Sequence, residues 1–240
     1  MPILYTINYM KVKHLILDLD NTLYSSNGKM DHGITQRMNE CVMELFKCSY
    51  DEAVKIRHER VTGFSTTLEW LQSEGLKDTE AFLAHVHPDE EADEVPEDPA
   101  LRGLLMSIDI PKIICTNSPL EHAERVLKKL NVLDLIEKIC DIRTFGFKGK
   151  PYASAYKTSL KDAGGTFEDT LFVDDMIKYT EGWTYLGGTA VLIGNKNGRP
   201  LSPDAAALTI NPEIKKGETI RINNIYELPE VISSLEKEKK

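Results

Sequence analysis

His14-Leu15-Ile16-Leu17-Asp18-Leu19-Asp20-Asn21-Thr22-Leu23-Tyr24 drives an apolar run straight into two aspartates. An unbroken Leu-Ile-Leu run fits a parallel strand covered on both faces. In open α/β sheets ligands lie just beyond the carboxyl ends of such strands. Asp18 and Asp20 are two positions apart, so an extended chain points them to the same side. Two other readings compete with catalysis. A calcium loop could use Asp18, Asp20 and Thr22 as its first, third and fifth positions, but it needs Gly at the sixth and Glu at the twelfth. Leu23 and Lys29 stand there, which excludes it. An ordinary strand-to-loop turn also favours Asp and Asn, whose side chains bond nearby backbone, and the short motif alone does not separate that reading from chemistry.

Outward from this stretch, Leu15 to Leu19 reads as the first strand and Ser25 to Gly28 as a turn. Asp31 is placed to cap a helix whose Ile34, Met38, Cys41, Val42, Leu45 and Phe46 recur at helical spacing. Ser49 to Glu52 and Thr66 to Glu69 are helix starts of the capping-box type, and a fourth helix covers Glu80 to His87. Pro88 to Asp98 packs seven acids and two prolines into eleven residues. It reads as a solvated connector whose acids lack a spacing that would gather them on a metal.

Beyond Pro99 strand and helix alternate. Ala100 to Ile108 is helical, Lys112 to Cys115 a strand, and Ser118-Pro119-Leu120-Glu121 a capped helix start with Ala123, Val126, Leu127 and Leu130 on its apolar face. Further strands fit Ile139 to Ile142, Thr170 to Val173 and Thr189 to Ile193. Helices fit Tyr152 to Ala163 and Ile177 to Leu186, and Ile222 to Leu235 reads as a strand followed by a helix with Pro229 in its first turn. The alternation predicts βαβ units: an α/β fold with a Rossmann-like, doubly wound parallel sheet. Roughly 75 residues cannot form a loop inside a compact domain, so residues 27–103 are expected to form an all-helical cap inserted into a core of residues 11–26 and 104–240.

The composition, 41% hydrophobic and 28% charged, is that of a globular protein. No apolar run approaches the ~20 residues of a membrane span and no signal-peptide pattern opens the chain, so the cytoplasm is the expected location. Cys41, Cys48, Cys115 and Cys140 lack metal or redox spacing and are expected as free thiols. The net charge of −9 disfavours nucleic acid polymers and anionic membranes as partners, but not a small anionic substrate, since local cations set the potential of a site.

Three further stations share the geometry of the first. At Cys115-Thr116-Asn117-Ser118 a strand ends and a helix begins, which offers backbone amides, the positive end of a helix dipole and the Thr116 hydroxyl to an anion; Ser118 is also expected to cap that helix. Lys150-Pro151 puts a lysine at the wrong end of a helix for the dipole, as if to meet an anion, with Lys148 as a competing choice. Leu171-Phe172-Val173-Asp174-Asp175 is a second apolar strand ending in two carboxylates, which magnesium would satisfy.

Together these stations resemble the haloacid dehalogenase superfamily, in the branch that acts on phosphates through a DxDxT motif: Asp18 to Thr22, Thr116-Asn117, Lys150-Pro151 and Asp174-Asp175. A helical insert after the first motif is similar to that family's first cap class. Asp18 to Tyr24, Cys115 to Ser118, His122 to Leu127 and Glu227-Leu228-Pro229 further resemble the pyrimidine 5'-nucleotidase-like group. Met176 and Tyr179, however, stand where that group often has Ser and Asn.

The resemblance implies a magnesium-dependent phosphomonoesterase. Asp18 would be the nucleophile that forms an aspartyl-phosphate, and Asp20 the acid and then the base. Thr116, Asn117 and Lys150 would bind phosphate. Asp18, the Asp20 backbone carbonyl and Asp175 would hold magnesium, with Asp174 close by. His58, Arg60 and Thr62 lie in the part of the cap that would read the substrate, although exposed helix positions are the plainer reading. The expected partner is a small phosphorylated metabolite, a pyrimidine nucleoside 5'-monophosphate foremost, and the expected assembly a monomer or homodimer. A phosphomutase, a 2-haloacid dehalogenase and, outside enzymes, an aspartyl-phosphate signalling module are the alternatives. His85 and His87, two apart on a helix, are not expected to pair on a metal; Trp70 and Trp183 read as core.

Overall fold

Each strand expected from the sequence forms, with ends that move by a few residues. The structure, a computed structural model, describes residues 9–25, 29–194 and 216–237. The turn expected at Ser25 to Gly28 lies mostly outside them. The strands are β1 (His14–Leu17), β2 (Lys112–Cys115), β3 (Lys138–Cys140), β4 (Thr170–Asp174), β5 (Thr189–Ile193) and β6 (Thr219–Ile222). They form one six-stranded sheet in the order β3-β2-β1-β4-β5-β6, with every neighbouring pair parallel. β1 therefore sits at the centre, with β2 and β4 on either side.

β1 ends before Leu19 because the chain turns there: the Thr22 and Leu23 amides both donate to the Leu19 carbonyl, and Asn21 takes φ 62°. Asparagine tolerates that left-handed conformation better than most residues. β3 ends at Cys140 because Asp141 folds back, its Oδ1 accepting from the amide and hydroxyl of Thr144.

Side chains alternate across the sheet as the period of two requires. Leu15, Leu17, Ile114, Leu171 and Val173 face one side, packed with Leu101 and Leu105 of α5 (Pro99–Ser107), Val126 and Leu127 of α6 (Leu120–Lys129), and Leu228 and Ile232 of the C-terminal helix Leu228–Leu235. Ile16, Ile113, Cys115, Phe172 and Ala190 face the other side, against Tyr156 and Leu160 of α7 (Ala153–Ala163) and Trp183 of α8 (Ile177–Tyr185). Trp183 is fully buried, stacks on Phe172 with ring centroids 5.1 Å apart, and satisfies its indole N–H on the Thr189 carbonyl at 2.9 Å. Helices thus cover both faces, the doubly wound arrangement.

Between β1 and α5 lie α1 (Lys29–Phe46), α2 (Tyr50–Arg60), α3 (Thr67–Ser73) and α4 (Thr79–Val86), helical segments consistent with a cap. They enclose a cluster of their own, including Val42, Ala53, Leu68, Leu71, Phe82 and Trp70, which stacks on Phe46 at 5.6 Å. α1 starts before Asp31, which lies in its first turn rather than capping it. The capping box of α2 forms in full between Ser49 and Glu52. That of α3 forms by half: Thr66 caps the Glu69 amide, but the Glu69 carboxylate reaches the amide and hydroxyl of Ser65 instead. Among the described residues no helix is long and apolar enough to cross a membrane.

Candidate active site

Asp18 extends β1 by one more ladder bond, its amide donating to the Val173 carbonyl at 2.9 Å, so its side chain emerges where β1 and β4 end together. Lys150, fully buried, joins the two strands: Nζ lies 2.7 Å from Asp18 Oδ1 and 2.6 Å from Asp174 Oδ2. Lys148, the competing choice, is exposed. Thr22 donates to the other oxygen of Asp18 at 2.9 Å, and the Met176 amide to Asp174 Oδ1 at 2.8 Å. Burial raises both carboxyl pKa values more than the lysine charge lowers them. Lys150 is also raised, because attraction to Asp174 and Asp18 outweighs its own burial.

Thr116 is buried, and its hydroxyl oxygen accepts from the Ser118 amide at 3.0 Å, which leaves the hydroxyl hydrogen for another acceptor. The Asn117 side chain has a role that its place in the motif does not announce. Oδ1 accepts from the Lys150 amide at 2.8 Å and Nδ2 donates to the Lys150 carbonyl at 2.9 Å. This clamp needs a glycine at 149, where an added Cβ would lie 2.0 Å from Asn117 Oδ1. Nδ2 also donates to the Tyr179 hydroxyl, and the Tyr179 ring lies 4.9 Å from Lys150 Nζ, a cation–π distance. The departure at Tyr179 is therefore built into the lysine's setting.

Ser118 does not cap α6, contrary to the sequence expectation. Its hydroxyl donates instead to Asp20 Oδ2 at 2.9 Å, and α6 begins two residues later. The Leu120 amide is satisfied by Asp141 Oδ2 at 3.1 Å, so at that amide the favourable anion is the protein's own carboxylate. Asp20 Oδ1 accepts from the Tyr24 hydroxyl at 2.6 Å and from His122 Nε2 at 2.8 Å. Burial works to raise the Asp20 carboxyl, but His122 and the Tyr24 hydrogen bond outweigh it and hold the group well below the usual carboxylate range. Asp18 and Asp20, two residues apart, thus occupy environments that shift them in opposite directions.

The acidic connector also departs from expectation. Residues Asp89–Glu94 form a 3-10 turn in which Glu91 is buried, not solvated. Glu91 Oε1 accepts from His87 Nδ1 at 2.9 Å and from His122 Nδ1, and Oε2 accepts from Arg37 at 2.8 Å. The expectation that no acid here would be gathered fails for Glu91, because partners distant in sequence converge on it. His87 pairs not with His85 but with Glu91, with the His122 ring 4.6 Å away. Burial lowers the His87 pKa. For His122 the carboxylates of Asp20 and Glu91 outweigh burial and push it up to about 10. His122, Glu91 and Ser118 are the site residues that sequence reading did not assign. The available signal was a histidine at 122 on the apolar face shared with Ala123 and Val126.

A cavity of 320 Å³ opens beside Asp20, Asn117 and Ser118, closed on the helical side by Arg57, Ser65 and Thr66 and on the other by Lys178 and Tyr179. His58, Arg60 and Thr62 are not among its lining residues. They are exposed, with Arg60 paired to Glu74 and Thr62 bonded to the Glu59 carbonyl. Helical periodicity explains the shift, since Arg57 lies on the inward face of α2 and positions 58 and 60 fall outside it.

Asp18, Asp174 and Asp175, all buried, bring ligand oxygens within 4.8 Å of one another. Such an oxygen-only set suits a hard divalent cation. The donors fit, because Lys150 bonds two of these three buried carboxylates and a further cation would offset the remaining charge.

A doubly wound parallel sheet whose two central strands end in buried carboxylates joined by one lysine defines an α/β protein with a polar site at the carboxyl edge of its sheet. Residues 12–178 match a family described as haloacid dehalogenase-like hydrolase, and the chain belongs to that family. Solved structures share the fold. A HAD phosphatase from Thermococcus onnurineus is 17% identical, with a TM-score of 0.60 over 92% of this chain and 98% of that one. L-2-haloacid dehalogenase from Xanthobacter autotrophicus is 13% identical, with a TM-score of 0.56 over 92% and 98%. YfnB from Bacillus subtilis, described as a HAD-hydrolase and bound to magnesium, is 13% identical, with a TM-score of 0.55 over 93% and 99%.

Proposed function

We propose that this hydrolase is a magnesium-dependent phosphomonoesterase of the pyrimidine 5'-nucleotidase-like type, with α1 to α4 as a cap of the first class. The observation that carries the reading is the separate anchoring of two neighbouring carboxylates: Asp18 is held at the end of β1 by Lys150 and Thr22, and Asp20 apart from it by Ser118, Tyr24 and His122. A dehalogenase needs the first aspartate but has no use for a second, separately tuned one.

In this reading an Asp18 carboxylate oxygen attacks phosphorus, the ester P–O bond breaks, and Asp20, which takes up a proton when the negative charge of the substrate binds beside it, gives that proton to the departing alcohol. Asp20 then takes a proton from water, whose oxygen attacks phosphorus and displaces Asp18, releasing inorganic phosphate. The two half-reactions replace one step of very high barrier. Lys150, the Thr116 hydroxyl and the Asn117 main-chain amide orient and neutralise the phosphoryl oxygens. Magnesium, held by Asp18, Asp175 and the Asp20 carbonyl with Asp174 beside it, would supply further neutralisation of phosphoryl charge. The leaving group occupies the cavity under Arg57, Ser65 and Thr66, which Ile34, Met38, Leu68 and Phe82 also line, a mixed polar and apolar surface that suits the hydroxyls and ring of a nucleoside.

The test is phosphate release from an aryl phosphate with and without magnesium, followed by a panel of nucleoside monophosphates, sugar phosphates and glycolate phosphate. Turnover that requires magnesium and vanishes in Asp18→Asn supports the reading. Halide release from a 2-haloacid without added metal, with no phosphate release, refutes it.

A further inference from the structure

We propose that His122 is a positioning residue for Asp20, anchored through Glu91 and Arg37 to the helical segment; this rests on the phosphatase reading of Asp18 and Asp20. The His122 side chain is wholly buried, and both ring nitrogens face carboxylate oxygens: Nε2 lies 2.8 Å from Asp20 Oδ1, and Nδ1 meets Glu91 Oε1. Carboxylates accept, so both nitrogens donate, and the ring cannot turn without giving up a charge-assisted bond.

Glu91 is itself held at both oxygens, by His87 and by Arg37 Nη2 at 2.8 Å, while Arg37 Nε donates to the Val86 carbonyl at 2.8 Å. A continuous line of bonds therefore runs from α1, through the 3-10 turn that leads out of the helical segment, through α6, to the carboxylate beside the nucleophile. His122 is not among the residues lining the substrate cavity, so it acts on the reaction through Asp20 alone. Stability is a poor account of this line, because well-packed apolar residues of similar volume serve as well as buried ion pairs. Placement is a better one. Asp20 must meet the departing oxygen within ~3 Å, and a misplacement of ~1 Å costs on the order of 10²-fold.

The experiment compares the single-turnover rate of alcohol release from an aryl phosphate, whose leaving group needs no proton, with that from an alkyl phosphate, whose leaving group does. The magnesium-loaded full chain is used, as wild type, Asp20→Asn, His122→Asn, the double variant and Glu91→Gln. His122→Asn is expected to slow alkyl ester cleavage by about 10²-fold and aryl ester cleavage by much less, with KM unchanged, as Asp20→Asn does; the double variant should be no slower than Asp20→Asn. Glu91→Gln, which keeps the imidazole, is expected to move the ratio the same way by less, and it carries the test if His122→Asn fails to fold. An equal loss on both esters, no loss on either, or a further loss in the double variant overturns the proposal. An unmoved ratio in Glu91→Gln overturns the link to the helical segment. Wild-type protein that cleaves neither ester removes the phosphatase reading itself, whereas turnover of both with an unmoved ratio in His122→Asn removes only this inference.

Discussion

Lys150→Met tests the electrostatics at the centre of the sheet. The substitution keeps most of the side chain's length and removes the charge that Asp18 and Asp174 share at 2.7 and 2.6 Å in a fully buried position. Leaving a buried ion pair with one partner missing costs about 3–5 kcal/mol. For a chain of this size each kcal/mol lowers Tm by about 2–4 °C, so the loss in metal-free protein should be roughly 6–20 °C. The sign of its pH dependence follows from the carboxyls. Burial already raises both above their ordinary value, and without the lysine they rise further. A carboxyl whose folded pKa exceeds its unfolded one contributes stability below the unfolded value and loses it as pH rises through the folded value. The difference between variant and wild type should therefore be larger at about pH 8 than at about pH 5. Urea unfolding with a chelator present, at both pH values, measures it. Asp174→Asn on the Lys150→Met background should recover part of the loss, since it removes one of the two stranded charges. A loss below about 1 kcal/mol, or one that does not change with pH, would refute the picture of a lysine neutralising two buried carboxylates.

Asp141→Ala removes the acceptor for the first amide of α6 and should cost about 0.5–2 kcal/mol in denaturant unfolding while leaving the far-UV spectrum intact. Burial pushes the Cys115 thiol up to about 11 and, with its neighbours, the Cys140 thiol up to about 12. A thiol reagent at about pH 8 should leave both unlabelled until the protein is unfolded. Arg57→Ala should raise KM for a good substrate several-fold with little change in kcat, whereas His58→Ala should leave both parameters alone. The opposite pattern would return the substrate contacts to the outward face of α2.

The fold was legible because its signals are local and redundant. Apolar runs of strand length, each bounded by a turn or cap, recur with helices between them, and the β1 run needs only its own residues to be read. The Asp18-Asp20 and Asp174-Asp175 pairs were legible for the same reason, each marking the end of such a run, whereas Lys150 was legible as a lysine at the wrong end of a helix for its dipole. Legibility failed where contacts join distant segments. Glu91 looked like one of many solvated acids, and only the packing of α6 and α1 against the 3-10 turn brings His122 and Arg37 to it. Ser118 carried a correct local capping signal, but the loop after β1 competes for its hydroxyl and Asp141 replaces it at the helix. Arg57, which lines the cavity, stands one residue before His58, and composition cannot separate Arg57, His58 and Arg60 because all three are polar.

The Asn117 clamp has a bearing on how this site could be rebuilt. Its amide pairs with both backbone groups of Lys150 much as a neighbouring strand would, across 33 positions of sequence. The lysine loop is thus registered to the end of β2 by side chain rather than by sheet, and the register holds only while position 149 stays bare. Asn117, Gly149 and Lys150 accordingly form one transplantable unit. A graft that carried the lysine loop to another scaffold without its asparagine would deliver the charge but not its address.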